Sequence, residues 1–342
     1  MSEEGKVITD VALKDSPSVD PLFFDVCLVF VGCVCTVLMC LFGIVANVVN
    51  IPLFRRQGYR DGVNVTLTAL AVSDLGAVTF ELAYATIMNP YISEVDLLVS
   101  KVVIGFIVGY IHEYFTRVSS VITAFAALER CLCVTRPLKV KAMITTRVAV
   151  AVNLSIFLIY SGYLFPQFYS MYFDWAFVPE RNRTVYVVFF TSRTASMFPI
   201  TLYFTDMLLP YCTFFVLVSC STLLFVTLKS KAKWRRLISG SDDRLSHVST
   251  KERKSGLLFM SVSIMCIVLL LPQYLLFTAI IFVRALALDG YLSDLRTVFS
   301  TFTNFLKITN CSFTIFIYFK MSTKYRKEFQ KMFGKCIPTP SP

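Results

Sequence analysis

The stretch VCLVFVGCVCTVLMCLFGIVANVVNIPLF, residues Val26–Phe54, carries no charged side chain. A helix crosses the hydrocarbon of a bilayer with about 20 mostly apolar residues, so this run is long enough to span. Six more segments read the same way. Val63–Met88 carries only Asp74 and Glu81, and Val102–Leu128 only Glu113 and Arg117. Val148–Phe173 and Ser255–Val283 are free of charge, Ala195–Leu228 has Asp206, and Thr297–Phe319 has Lys307. Composition agrees: 56% of the chain is hydrophobic and 16% charged, against about 25% charged in a soluble domain. The expected fold is all-α, a seven-transmembrane helix bundle.

The net charge of +11 comes from 33 basic and 22 acidic residues, and the basic ones flank the spans. Arg55, Arg56 and Arg60 follow the first, Arg136 to Arg147 the third, Lys229 to Arg236 the fifth, and Lys320 to Lys335 the seventh. Clustered this way the charge points to the inner membrane surface, not to nucleic acid. The positive-inside rule places the N-terminus outside and the C-terminus in the cytoplasm, as expected for a multi-pass protein of the plasma membrane. Three parts follow: an extracellular, disordered segment over 1–22, the membrane domain over 23–320, and a cytoplasmic tail over 321–342. No signal peptide is evident, because the first residues are acidic and polar. Thr323–Phe333 carries Tyr325, Phe329, Met332 and Phe333 among basic residues and reads as an amphipathic helix on the inner membrane surface. Cys336 beyond it is a candidate for palmitoylation. Asn182-Arg183-Thr184 is a glycosylation sequon in the loop before the fifth span.

Six ionisable residues lie within the spans: Asp74, Glu81, Glu113, Arg117, Asp206 and Lys307. Each would cost roughly 3 kcal/mol at a helix centre facing lipid, so they are expected to face the bundle interior. On the third span His112, Thr116, Ser119, Thr123 and Arg130 recur at steps of three or four, which places them on one helix face. Glu113 and Arg117 are four apart and can pair along the helix; Arg117 can instead meet Asp206 across the bundle. The eleven cysteines include no CxxC pair, and the only histidines are His112 and His247. With no nucleophile–base pair and no metal-ligand spacing, the sequence does not read as an enzyme.

Several motifs fall in a fixed order: Gly43-Ile-Val-Ala-Asn47, Leu70-Ala-Val-Ser-Asp74-Leu75, Glu129-Arg130-Cys131 with Pro137, Leu209-Pro210, Leu271-Pro272, and Asn310 to Tyr318 with Phe329. This set resembles the rhodopsin-like (class A) G-protein-coupled receptors over about residues 24–335. Finer stretches, among them Phe173-Asp-Trp-Ala-Phe-Val-Pro-Glu-Arg-Asn-Arg-Thr184 and Lys320-Met-Ser-Thr-Lys-Tyr-Arg326, are similar to molluscan chemosensory receptors, a group related to invertebrate FMRFamide-type peptide receptors. The chain also departs from the pattern. Gly105 stands where a disulfide-forming Cys is usual, and 160–205 contain no Cys. Leu270 replaces a Trp, and Thr314-Ile315 an Asn-Pro.

The resemblance implies a receptor that binds an extracellular small molecule or peptide and activates a heterotrimeric G protein. It implies a gate at the cytoplasmic end formed by Glu129, Arg130, Glu252 and Tyr318. It places a ligand pocket among His112, Glu113, Thr116, Arg117, Asp206, Gln273, Tyr274 and Lys307, with Glu81 and Tyr84 at the rim. Both signs of charge in that set suit a zwitterionic or peptide ligand. No cofactor is implied beyond an allosteric sodium ion, for which Asp74, Asn47, Ser119 and Asn310 resemble the lining. Two other readings stay open on sequence. Lys307 would be the retinal lysine of an opsin-like light receptor, although it lies one residue off the opsin position. Alternatively, the intramembrane charges would form the relay of a transporter or channel.

Overall fold

The computed structural model describes residues 19–59, 62–91, 98–135, 145–179, 182–191, 202–238, 243–286 and 290–334, with side chains for all of these except 202, 206, 231–238 and 243–255. Seven long helices form the bundle: α1 (Pro21–Gln57), α2 (Gly62–Ile87), α3 (Lys101–Thr135), α4 (Thr146–Ser161), α5 (Leu209–Ile238), α6 (Asp243–Phe282) and α7 (Ser293–Met321). A shorter α8 (Thr323–Phe333) follows. The start of α1 is set locally: Asp20 accepts a hydrogen bond from the Phe23 amide at 3.0 Å, with Pro21 in the first turn, where its missing N–H costs nothing.

Six of these stretches are long and apolar enough to cross a membrane, among the described residues. The seventh, α7, spans 29 residues and at 1.5 Å per residue is also long enough. Its lower hydropathy has a structural cause: Thr303, Lys307, Asn310, Ser312 and Thr314 all point inward and are buried. The bundle is inverted relative to a soluble protein. Large apolar side chains such as Leu38, Val45, Leu158, Phe215 and Val268 are exposed, while Asn47, Asp74, Glu81, His112, Ser119 and Lys307 are buried.

Helix α3 is the central strut, in contact with α2, α4, α5, α6 and α7; α1 packs on α2 and α7, and α6 closes the ring between α5 and α7. Gly43 explains the tight α1–α7 contact: a Cβ there would collide with the hydroxyl of Ser312.

The fourth span ends earlier than Phe173. Helix α4 stops at Ser161, a short turn of helix covers Leu164–Tyr169, and the chain then enters an antiparallel hairpin of β1 (Met171–Val178) and β2 (Arg183–Phe190). The aromatic and β-branched run of this segment favours a strand once the chain leaves the apolar layer. Asn182 sits in the hairpin turn with φ +47°, a backbone region that asparagine tolerates better than most residues.

No disulfide holds this hairpin, since every described cysteine is free. Backbone bonds hold it instead: Tyr186 donates to the Leu98 carbonyl at 2.9 Å, and the Ser100 amide donates to the Tyr186 carbonyl at 3.0 Å. The stretch before α3 therefore pairs in parallel with β2. Beneath it Met171, Val188 and Val103 form an apolar cluster with Phe106, Tyr110 and Phe190.

At the opposite end, α8 turns along the bundle. Tyr325 fixes it: the residue is fully buried and its hydroxyl donates to Asn50 Oδ1 at 2.6 Å. Burial raises its phenol above the usual tyrosine range, which keeps the hydroxyl a donor. Tyr318 and Phe54 pack against its ring at 5.8 and 5.7 Å. Phe329 covers the outside of this cluster.

Two expectations follow for the hairpin. Dithiothreitol will leave near-ultraviolet circular dichroism of the purified protein unchanged. Ser100→Pro, which removes the amide donated to Tyr186, will destabilise the fold by about 1 kcal/mol, read as a lower thermal unfolding midpoint.

Candidate functional site

Four of the ionisable residues of the spans, Glu81, Glu113, Arg117 and Lys307, converge near the hairpin end of the bundle. Lys307 of α7 meets Glu113 of α3, Nζ to Oε1 2.5 Å. Arg117 approaches the other carboxylate oxygen, Nη2 to Oε2 3.8 Å. The helical i, i+4 pair expected from sequence is thus present but secondary to a bond between α3 and α7. Arg117 also donates to the Thr205 carbonyl, in the π-helical turn Leu202–Leu208 that precedes α5. Its guanidinium lies 4.6 Å above the ring of Tyr163. The side chain of Asp206 lies outside the described residues.

Behind this layer sits a second carboxylate. Glu81 of α2 accepts from Asn304 Nδ2 at 2.5 Å and lies 3.6 Å from His112 Nε2. The other ring nitrogen of His112 donates to the Ala77 carbonyl at 2.9 Å, so Nδ1 carries a proton. Both Glu81 and His112 are almost completely buried.

A cavity of ≈ 50 Å³ opens beside the first layer, lined by Glu113, Thr116, Arg117, Gln273, Tyr274 and Lys307 from the candidate set. His112 is not in its wall. Ser120, Val121, Tyr160, Pro210, Thr213, Leu270 and Phe277 complete it. The sequence reading, which sought charge, passed over Tyr160, Tyr163 and Phe277. It also missed Asn304, although that residue stands three before Lys307 and so on the same face of α7.

Deeper in the bundle Asp74 is buried and accepts from Ser119 Oγ at 2.5 Å. Asn310 Oδ1 is buried without a hydrogen-bond partner. Asp74, Ser119 and Asn310 offer oxygen ligands of the kind a hard cation takes. Asn47 differs: its Nδ2 donates to the Gly43 and Cys311 carbonyls, both at 3.0 Å, and its Oδ1 accepts from Asn50 at 3.4 Å.

Near the α8 end Arg130 Nη2 binds Glu129 Oε1 at 2.7 Å, with both side chains largely buried. The ring of Phe259 on α6 lies 5.3 Å from the guanidinium carbon. Tyr318 is buried between Phe54 and Tyr325. The Glu252 side chain and Cys336 lie outside the described residues.

A lipid-facing helix bundle, a cavity lined by charges near one end and an acidic–arginine pair near the other define a seven-helix membrane receptor. A family model described as serpentine type 7TM GPCR chemoreceptor Srw matches residues 34–336, and the chain belongs to that family. It is a receptor family, not an enzymatic one. No curated protein matches the chain at a significant level.

The buried Glu81 pair gives a direct expectation. Asn304→Leu leaves Glu81 Oε1 without its donor, and an unsatisfied buried acceptor costs on the order of 1–3 kcal/mol. The variant will unfold at lower temperature in detergent or nanodiscs. Phe302→Leu, on the exposed side of the same helix, will change little.

Proposed function

We propose that the protein is a chemosensory receptor of rhodopsin-like type that binds an extracellular ligand in the cavity between α3, α5, α6 and α7 and signals through a heterotrimeric G protein. The observation that carries this reading is the placement of two sites on one strut. Helix α3 supplies Glu113, Thr116 and Arg117 to the cavity and, thirteen residues on, Arg130 to the pair with Glu129. That separation is about 20 Å along the helix.

The positive-inside pattern supports placing the hairpin end outside the cell and α8 in the cytoplasm. Arg130 then sits at the cytoplasmic mouth, held by Glu129 and covered by Phe259 of α6. A ligand that favours an arrangement with the foot of α6 displaced would uncover Arg130, a shift between two packings driven by differential affinity. Glu252, near the foot of α6, would add to the closed arrangement by pairing with Arg130, and Tyr318 would receive the displaced helix.

The ordered motifs support the rhodopsin-like type, and the stretches around Phe173–Thr184 and Lys320–Arg326 support kinship with molluscan chemosensory and FMRFamide-type receptors. Asp74, Ser119 and Asn310 fit a sodium ion, which would supply a positive charge against the buried carboxylate; Asn47 would serve there only by giving up its present hydrogen bonds. Asn182, exposed in the hairpin turn, would carry the glycan, and Cys336 a palmitoyl chain beside α8 at the plasma membrane.

The test is a ligand screen in cells that express the chain with a promiscuous G protein, using waterborne amino acids, small odorants and short amidated peptides. A response is expected that disappears in Arg130→Ala at equal surface expression. A response that survives in that variant, or ligand-driven ion flux without G-protein signal, refutes the reading. Phe259→Leu removes the ring over Arg130, an interaction of about 0.5–2 kcal/mol, and is expected to raise ligand-independent signal several-fold.

A further inference from the structure

Resting on the reading of the cavity as the ligand site, we infer that its ligand is a short organic anion, a monocarboxylate with a compact apolar body, whose carboxylate binds Lys307. The inference starts from what the polar groups of the cavity have left to offer. Lys307 is buried, its side chain 9% exposed, and its only hydrogen-bond partner among the described residues is Glu113. An ammonium group has three N–H donors, so two are unspent, in a cavity whose wall Lys307 helps to form. The Gln273 side chain, in the same wall, makes no hydrogen bond among the described residues.

Glu113 is in the opposite condition. Its Oε1 holds Lys307, and Arg117 lies against its Oε2. Of the ionisable side chains in the cavity wall, Lys307 and Arg117 are cationic and Glu113 alone is anionic, so a ligand amine meets two like charges for each opposite one. A ligand carboxylate accepts the spare N–H groups of Lys307 and the amide N–H of Gln273. The mixed charge of this region, which on sequence suited a zwitterion, therefore leaves one positive charge in excess among the described residues of the wall.

The rest of the wall sets the body of the ligand. Val121, Pro210, Leu270 and Phe277 are apolar, and Leu270 contributes a smaller side chain than the Trp usual at that place. The cavity of ≈ 50 Å³ has room for about four waters, a size that suits a short hydrocarbon chain.

The experiment uses the full-length chain in lipid nanodiscs. Butanoate, 2-aminobutanoate, butylamine and butan-1-ol are titrated, and binding is read by ligand-observed NMR and by the shift of the thermal unfolding midpoint. Butanoate is expected to bind and to raise the midpoint, with butylamine and butan-1-ol inert. Lys307→Gln is expected to weaken butanoate about tenfold or more, the worth of a hydrogen bond to a charged group. Because that change also strands Glu113, Glu113→Gln serves as a second variant. It keeps the ammonium, removes the competing carboxylate, and is expected to bind butanoate at least as tightly as the unmodified chain. Stronger binding of 2-aminobutanoate than butanoate would restore the zwitterion and overturn the assignment. Butylamine binding, no binding of any probe, or unchanged affinity in Lys307→Gln would overturn it as well. None of these readouts involves a G protein, so their failure is separable from failure of the receptor reading, which the Arg130→Ala control decides.

Discussion

A charge inside hydrocarbon must be matched by a partner within the protein, and that requirement fixes how the helices of this bundle stand relative to one another. Lys307 reaches Glu113 only if α7 and α3 present those faces at the same depth. Asn304 reaches Glu81 only if α7 also lies against α2 at the turn above. Ser119 and Asp74 repeat the constraint one layer deeper, between α3 and α2. Apolar side chains in lipid supply little preference for one rotation of a helix over another, because the lipid tails are as apolar as leucine. The polar contacts supply it, and their loss would leave the helices formed but their register undetermined.

The cavity and the surroundings of Arg130 share more than α3. On α6, Leu270 lines the cavity and Phe259 covers Arg130. They are eleven residues apart, close to three full turns, so both lie on one face of that helix. Rotation or tilt of α6 that alters the cavity wall must therefore move the ring over Arg130. Pro272, inside α6 beside the cavity, weakens the local hydrogen-bond ladder and gives such a tilt a place to occur.

Much of this was legible in the sequence, for a physical reason. Uncharged runs the length of a bilayer have few soluble explanations, so the spans could be read from charge alone. Inward placement of Asp74, Glu81, Glu113 and Lys307 followed from the cost of the alternative. Partner choice was not legible. Spacing along α3 suggested Glu113 with Arg117, but pairing across the bundle depends on helix rotation, which no single helix encodes, and Lys307 took the closer position. The extent of the fourth span was misjudged because the aromatic run at 168–173 is as apolar as a helix end; only its entry into a hairpin distinguishes it. The sequence placed Tyr325, Phe329, Met332 and Phe333 together on the amphipathic helix without ranking them. The buried position went to the residue whose hydroxyl could answer Asn50.

The hydrogen bond from Tyr325 to Asn50 has a mechanical meaning beyond holding a surface helix in place. Asn50 in turn donates to Asn47, which donates to the Cys311 carbonyl of α7. A continuous polar chain thus runs from α8 through α1 to α7, with Tyr318 and Phe54 packed over it. At this end of the bundle α1, α7 and α8 behave as one fixed jaw. On the opposite side the guanidinium of Arg130 lies against the ring of Phe259 on α6. This end of the bundle is asymmetric by construction, clamped by hydrogen bonds on its α8 side and faced by an aromatic ring on its α6 side.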